Sequence, residues 1–542
     1  MAAPQLNVDV LAIACEFLSD VSDILAFALT CSSLRPIATQ CLLAMHPVLL
    51  TGGESVRRFH AFLFADPPAR TPHVRALDIR LPVSTKPSHQ AAEQSGDASL
   101  FLNILNSSSN LQHVCVTCDR HLSQGSDDLH VFRRGIAALQ SLHSLSVYGL
   151  TIYALAPLRA IRSPLRILHL HCQKMQPGLW VPYQAVDPAA LEWFLPNLVP
   201  TFQKLELKPF MVEPDLIQAQ FGFNVPLPSV FSMTQYPSVR SLSVPSFFGK
   251  PLLGHLQHLF PALDGRLYLG RLDSIVGQDI NEDGPSSSSA WKKLDAVVCH
   301  AQMFYVLGLR CPIRLVMLDH CAEHELRYIT EALSENPVPR LKLTLGLRGL
   351  AVSDGLFPPE LAERLTHLTL CLLYSNDYSA RLPDGQDGKA TGMLRRSRWD
   401  DVRAKMLTAL RPLHKLTHLR VVAHASVHDY AYTVREPAFD FGNIAASLVR
   451  AQHPSLRYIF LTAGAYLATW YEDPFCEVGT WMTDERWYTT RGWRIAEAET
   501  NGSQGERTLV ELHPDVAETI IRNEELILSE ADEEALHMDR DY

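Results

Sequence analysis

A mixed α/β fold, with a short helical module ahead of a long array of strand-and-return repeats, is what the sequence predicts. Three observations predict it. A six-position pattern, L-x-x-L-x-L with other aliphatics admitted, recurs along the chain. Segments of helical character connect its copies. Residues 6–43 read as three short helices in series.

The pattern begins at Val74-Leu77-Ile79, Leu111-Val114-Val116, Leu142-Leu145-Val147 and Leu165-Leu168-Leu170. It continues at Phe202-Leu205-Leu207, Val239-Leu242-Val244, Leu365-Leu368-Leu370, Leu416-Leu419-Val421 and Leu456-Ile459-Leu461. Weaker copies lie at Leu263–Leu269, Leu294–Val298, Ile313–Leu318 and Leu341–Leu345. The last two positions of each copy alternate inward and outward, the periodicity of a strand. Leu100–Asn106, Phe132–Leu139, Leu326–Leu333 and Val402–Leu410 have helical character between copies. A strand followed by a helical or irregular return, repeated about a dozen times, is the leucine-rich-repeat arrangement, in which stacked neighbours share one core. Spacing between central positions runs from 23 (Leu145 to Leu168) to 51 (Leu368 to Leu419), so the solenoid is irregular and carries inserted loops. Three polar stretches read as such loops: Lys86–Ser99, Gln278–Ser289 and Tyr374–Trp399. An ordinary α/β sheet remains the alternative, but no G-x-G-x-x-G or G-x-x-x-x-G-K-[ST] phosphate loop accompanies it.

In the N-terminal module Asn7 is placed to cap a first helix, with Val10, Ile13, Ala14, Phe17 and Leu18 on its apolar side. Ser19 or Ser22 caps a second, carrying Ile24, Leu25, Phe27, Ala28 and Leu29. Ser32 or Ser33 starts a third, in whose first turn Pro36 is harmless. So short a bundle buries too little surface to stand alone and needs a partner.

Composition narrows the class. Hydrophobic residues make up 47% and charged residues 20%, as in a folded soluble protein. A net charge of −10 gives nucleic acid no electrostatic hold. Eight acids against Arg540 in residues 523–542 read as a solvated tail. No run of 18 uninterrupted apolar residues occurs, so neither a membrane span nor membrane binding is expected. Eleven scattered cysteines suit reduced thiols in the cytoplasm or nucleus. The expected boundaries are 1–50 for the helical module, 51–72 for a linker helix, 73–470 for the repeats, 471–522 for an aromatic-rich cap and 523–542 for the acidic tail.

The stretch LNVDVLAIACEFLSDVSDILAFALTCSSLRPIA, Leu6 to Ala38, resembles the F-box motif. Matching positions are Leu6, Asp9, Val10, Leu11, Ile13, Phe17, Leu18, Asp23, Ile24, Leu25, Ala28, Cys31, Leu34 and Arg35. With the stretches HPVLL, SVRRFHAFLF and HVRALDIRL behind it, the chain resembles F-box/leucine-rich-repeat proteins of mushroom-forming fungi. Asn7 departs from the motif's proline, and Leu34 stands where an aromatic is common. The resemblance implies the substrate-recognition subunit of an SCF-type (cullin-RING) ubiquitin ligase. Leu6, Val10, Ile13, Phe17, Leu18, Ile24, Leu25, Ala28, Cys31 and Leu34 would dock a Skp-type adaptor, and through it a cullin, while the repeats hold a protein target. Such a receptor is not an enzyme and needs no cofactor or metal. The alternative is a repeat scaffold with a degenerate F-box and no role in ubiquitination.

Target binding is expected on the outward, concave sheet face. There Asp78, Arg80, Tyr148, His169, His171, Glu206, Lys208, Arg420 and Phe460 mix both charge signs with aromatics, which suits a protein rather than a polyanion.

Other motifs are weaker. His320–His324 spells H-x-x-E-H, a zinc-hydrolase spacing, but starts at the end of a repeat strand rather than inside a long helix. Cys115-x-x-Cys118 beside His113 and His121, and His169–Cys172, lack a second close cysteine pair. Trp470, Tyr471, Trp481, Trp487, Tyr488 and Trp493 read as a solenoid cap.

Overall fold

The computed structural model describes residues 8–18, 20–30, 32–81, 91–118, 135–136, 139–150, 161–172, 191, 197–208, 210–211, 235–248, 253–272, 291–321, 326–346, 355–375, 399–427, 440–450, 454–471, 480–497 and 507–527. They fall into two compact units, one of residues 1–263 and 272–276, the other of residues 264–271 and 277–542.

The first unit starts with three helices, α1 (Val8–Glu16), α2 (Val21–Thr30) and α3 (Leu34–Met45). Their core is Cys15, Ile24, Leu34, Ile37 and Ala38, with Leu11, Ala12, Leu18, Phe27 and Ala28 packed against it. The cap of α2 is neither serine. Asp20 fills that role, its Oδ1 accepting from the backbone N–H of Ser22 at 2.7 Å. The Ser22 hydroxyl, and after it the same backbone bond, lower the Asp20 carboxyl's affinity for a proton. Ser33 precedes α3 without a side-chain cap, and Asn7 lies outside the described residues.

Strand β1 (Val48–Leu50) and helices α4 (Gly53–Phe64) and α5 (Pro67–Arg70) lead into β2 (Ala76–Leu81). Parallel pairing then runs from β1 through β2, β3 (His113–Cys118), β4 (Ser144–Leu150), β5 (Ile167–Cys172) and β6 (Lys204–Lys208) to β8 (Ser241–Phe248). A two-residue β7 (Phe210–Met211) also pairs with β8. Register places Leu77, Val114, Leu145, Leu168, Leu205 and Leu242 side by side, all buried, as one aliphatic ladder. Helix α6 (Ala91–Ser107) corrects the loop expected over Lys86–Ser99: from Ala91 onward that stretch is helical. Helix α7 (Leu253–Leu259) is the last in this unit.

The second unit repeats the plan. Parallel strands β9 (Arg266–Leu272), β10 (Leu294–His300), β11 (Ile313–Cys321), β12 (Arg340–Gly346), β13 (His367–Ser375), β14 (His418–Val427) and β15 (Tyr458–Tyr471) pair in sequence order. Helices α8 (Ala301–Leu307), α9 (Leu326–Glu335), α10 (Pro359–Ala362), α11 (Trp399–Leu410) and α12 (Phe441–Arg450) lie in the returns. The inner ladder is Val316, Leu341, Leu368, Leu419 and Ile459.

All thirteen copies of the six-position pattern therefore coincide with strands, in the parallel, open arrangement of a leucine-rich-repeat-like protein. The parallel run ends where β16 (Thr480–Glu497) and β17 (Arg507–Glu511) add antiparallel. Helix α13 (Pro514–Asn523) follows. Of the six clustered aromatics, Trp493 is buried; the side chains of the other five lie outside the described residues. So do residues 278–289 and 376–398 of the other expected loops.

Candidate functional site

The first surface belongs to the N-terminal helices. Val10 and Ile13 on α1, Phe17 just beyond its end, and Val21, Leu25 and Leu29 on α2 are exposed, Phe17 at 83% and Leu29 at 79%. Spacings of three and four put each trio on a single helix face. Large apolar side chains held in water in such stripes form an unpartnered apolar surface. The structure divides the ten expected adaptor residues. Val10, Ile13, Phe17 and Leu25 are free to touch a partner. Ile24 and Leu34 are core, and Leu18 and Ala28 pack against it. Leu6 and Cys31 lie outside the described residues. Val21 and Leu29 complete the stripes and were missed by motif matching. Burial and the neighbouring Cys15 push the Cys41 thiol up to about 12, so it offers no nucleophile.

The second surface is the outward face of the first strand array. Asp78, Cys115, Ser146, His169 and Glu206 form one in-register row, and Arg80, Thr117, Tyr148, His171 and Lys208 the next. This face therefore carries seven of the nine residues expected to bind a target. Six of the seven make contacts within the patch. Glu206 Oε1 lies 2.9 Å from His171 Nε2, and His169 Nδ1 lies 3.3 Å from the Ser146 hydroxyl. The His171 and Tyr148 rings are 4.3 Å apart, and Arg80 pairs with Asp78 at 3.5 Å. Burial holds His169 below its ordinary value. Burial alone would raise Glu206, but the His171 hydrogen bond and the nearby His169 outweigh it and keep the carboxylate ionised. Burial and Asp78 push the Cys115 thiol up to about 11, so it offers no nucleophile. The patch can donate, accept and stack, as a protein-recognition surface must.

The two remaining expected residues are corrected. Arg420 is 9% exposed and Phe460 fully buried, so neither is open to a partner here. Ala517, Ile521 and Leu526 cover Phe460. The Arg420 guanidinium donates to the Leu526 carbonyl at 2.8 Å. The chain's own C-terminal segment, residues 514–527, thus lies on the outward face of the second array. The start of the acidic tail is docked rather than solvated. Glu525 pairs with Arg314, which also holds Asp295. Glu524 pairs with Arg340 at 3.4 Å and reaches His367 at 3.1 Å. Lys342 Nζ donates to the Ile527 carbonyl at 2.6 Å.

One cluster here has the composition of a metal site: ligand atoms of His367, His418 and Glu524 all lie within 4.8 Å of one another. Yet the two imidazoles stack at 4.4 Å with 7° between their planes, and each Nδ1 meets the hydroxyl of its preceding threonine. Like-oriented parallel rings aim their remaining lone pairs side by side, not at one point, and Glu524 is shared with Arg340. The trio is better suited to anchoring the segment than to holding an ion. The side chains of His320 and His324 lie outside the described residues, as does His121. No described helix is long and apolar enough to cross a membrane.

Fold and surfaces together define a leucine-rich-repeat-like protein with an exposed apolar helical face and a polar strand face. No protein-family model matches the chain, and no curated protein does. Among solved structures, the mouse RP105/MD-1 complex shows a loose likeness. Identity is 11%, the match covers 67% of this chain and 61% of that one, and the TM-score is 0.26. A likeness so loose adds nothing to the strand register, on which the fold description rests.

Proposed function

We propose that this protein is a substrate receptor of an SCF-type ubiquitin ligase. Helices α1 and α2 dock a Skp-type adaptor, which links the chain to a cullin, and the repeat strands hold the protein to be modified. The receptor performs no chemistry itself; it acts in the cytoplasm or nucleus by bringing its target close to the transfer machinery. The observation that carries this reading is the pair of apolar stripes Val10–Ile13–Phe17 and Val21–Leu25–Leu29, exposed on a module whose sequence resembles the F-box.

Co-expression with a Skp-type adaptor tests it. The intact chain is expected to co-elute with the adaptor on gel filtration. Phe17→Glu combined with Leu25→Glu is expected to abolish co-elution and leave the melting temperature within a few degrees, because both side chains already face water. Elution of the intact chain alone would sink the receptor reading and leave a repeat scaffold.

A further inference from the structure

We propose that the outward face of β11–β15 is a docking groove for a short amphipathic helix ending in an acidic pair followed by aliphatic residues, and that residues 514–527 occupy it as an internal competitor. The inference rests on reading the repeats as a partner-binding surface, and is independent of adaptor docking.

The grip on the segment is of a kind that reads any chain of that pattern. Backbone carbonyls are taken by side chains of β12 and β14. Arg340 on β12 donates to Glu524 O at 2.9 Å, Arg420 on β14 to Leu526 O, and Lys342 on β12 to Ile527 O. These contacts recognise the carbonyls of the turn that ends the helix, not sequence. Sequence is read by charge and by one apolar cluster: Arg314 and Arg340 take the two carboxylates, and Phe460 takes Ala517, Ile521 and Leu526. Groups on these strands supply the cations in a chain of net charge −10, so an acidic ligand fits them locally while the rest of the surface repels it.

The segment itself is shaped by the site. Helix α13 ends in a Schellman motif, with Leu526 N–H donating to Ile521 O at 2.8 Å and Glu525 N–H to Arg522 O at 3.0 Å. The residue in the left-handed turn of that motif is ordinarily glycine. Here it is Glu525 at φ 52°, the one described non-glycine residue with positive φ. A carboxylate is kept where glycine would be cheaper, because Arg314 and Arg340 hold it. Docking also needs Gly492: a Cβ there would stand 2.9 Å from both Ala517 Cβ and the Phe460 ring. On the apolar side the attachment is confined to one cluster around Phe460. Ala517, Ile521 and Leu526 are buried, but Val516 and Ile527 stay exposed. A segment held by backbone carbonyls, two carboxylates and one apolar cluster can be exchanged for another that carries the same groups.

The test uses the full chain carrying Ile521→Glu and Leu526→Asp, which spoils the internal occupant and leaves the groove untouched. The probe is a fluorescent synthetic peptide of residues 513–529. The opened chain is expected to bind it saturably, at least tenfold more tightly than the unaltered chain. Glu524→Lys with Glu525→Lys in the peptide is expected to lose that binding. A folded, opened chain that ignores the peptide overturns the proposal, as does equal binding by the unaltered chain. Should the opened chain fail to fold, hydrogen exchange on the unaltered chain decides. Amides of 517–526 are expected to exchange at least a hundredfold faster than those of Leu419–Val422. Equal protection would make the segment an integral cap and overturn the inference. A chain that captures the adaptor but binds no peptide fails only here.

Discussion

Glu525 sets two free-energy terms against each other at a single position. The left-handed turn costs an L-residue about 1–2 kcal/mol relative to glycine. The Arg314 and Arg340 contacts offset it, each worth less than a buried pair because both partners are partly exposed. Glu525→Gln keeps the strain and loses the charge, so the segment is expected to loosen by about 1 kcal/mol. Glu525→Gly loses the charge and the strain together, and is expected to be near neutral. Hydrogen exchange of residues 517–526 separates the two; equal loosening would mean that the backbone cost is not real. Asn336 is a second decisive residue. Its buried amide donates to Leu309 O and Cys311 O, both at 2.9 Å, stitching one repeat to the one before. Asn336→Ala strands two carbonyls and is expected to cost about 1–3 kcal/mol in urea denaturation; a loss below half of that would show that water replaces the amide.

Among elements, each strand has a packed inner face and, in the first array, a partly open outer one. Leu419 of β14 sits in the inner ladder between Leu368 and Ile459, fully packed, so Leu419→Ala is expected to cost about 2–5 kcal/mol. Thr117→Ala on the half-buried outer row of β3 is expected to change stability by less than about 1 kcal/mol. Parity between them in chemical denaturation would contradict the assignment of faces. Those faces were legible in the sequence because a period of two is unambiguous when leucine alternates with polar residues. Even the weak copy at Leu341–Leu345 resolves, with its buried first position at Val338. The phase of α1 was not legible. In VDVLAIACE almost every residue is apolar or small, so periodicity cannot tell the core side, Leu11 and Cys15, from the exposed side, Val10, Ile13 and Phe17. Nor was the docking of residues 514–527, since its partners Arg314 and Arg340 lie 211 and 184 residues away and no local pattern encodes such a pairing.

Across the whole molecule, the acidic chain keeps cations and neutral imidazoles of its second array packed against one acidic segment, which makes that contact sensitive to pH. His418 faces His367, Glu524, Arg340 and Arg457. Burial, with His367 and the two arginines adding to it, lowers its value to about 4, although Glu524 opposes the shift. His367 is lowered too, by burial and Arg340. An imidazole so held binds a proton less readily folded than unfolded. Its contribution is intact above the unfolded value near 6.5 and drains away as pH falls from there to about 4. Glu525 is lowered by its Arg314 hydrogen bond, so its contribution is present above the ordinary carboxylate value and is lost below it. Both act in the same direction, the histidines first. The urea midpoint of the second unit is therefore expected to fall between pH 7 and pH 5. His418→Asn, which has no proton to take up there, is expected to flatten that fall. An unchanged slope in the variant would remove the buried neutral imidazole as its cause and leave the carboxylates alone responsible.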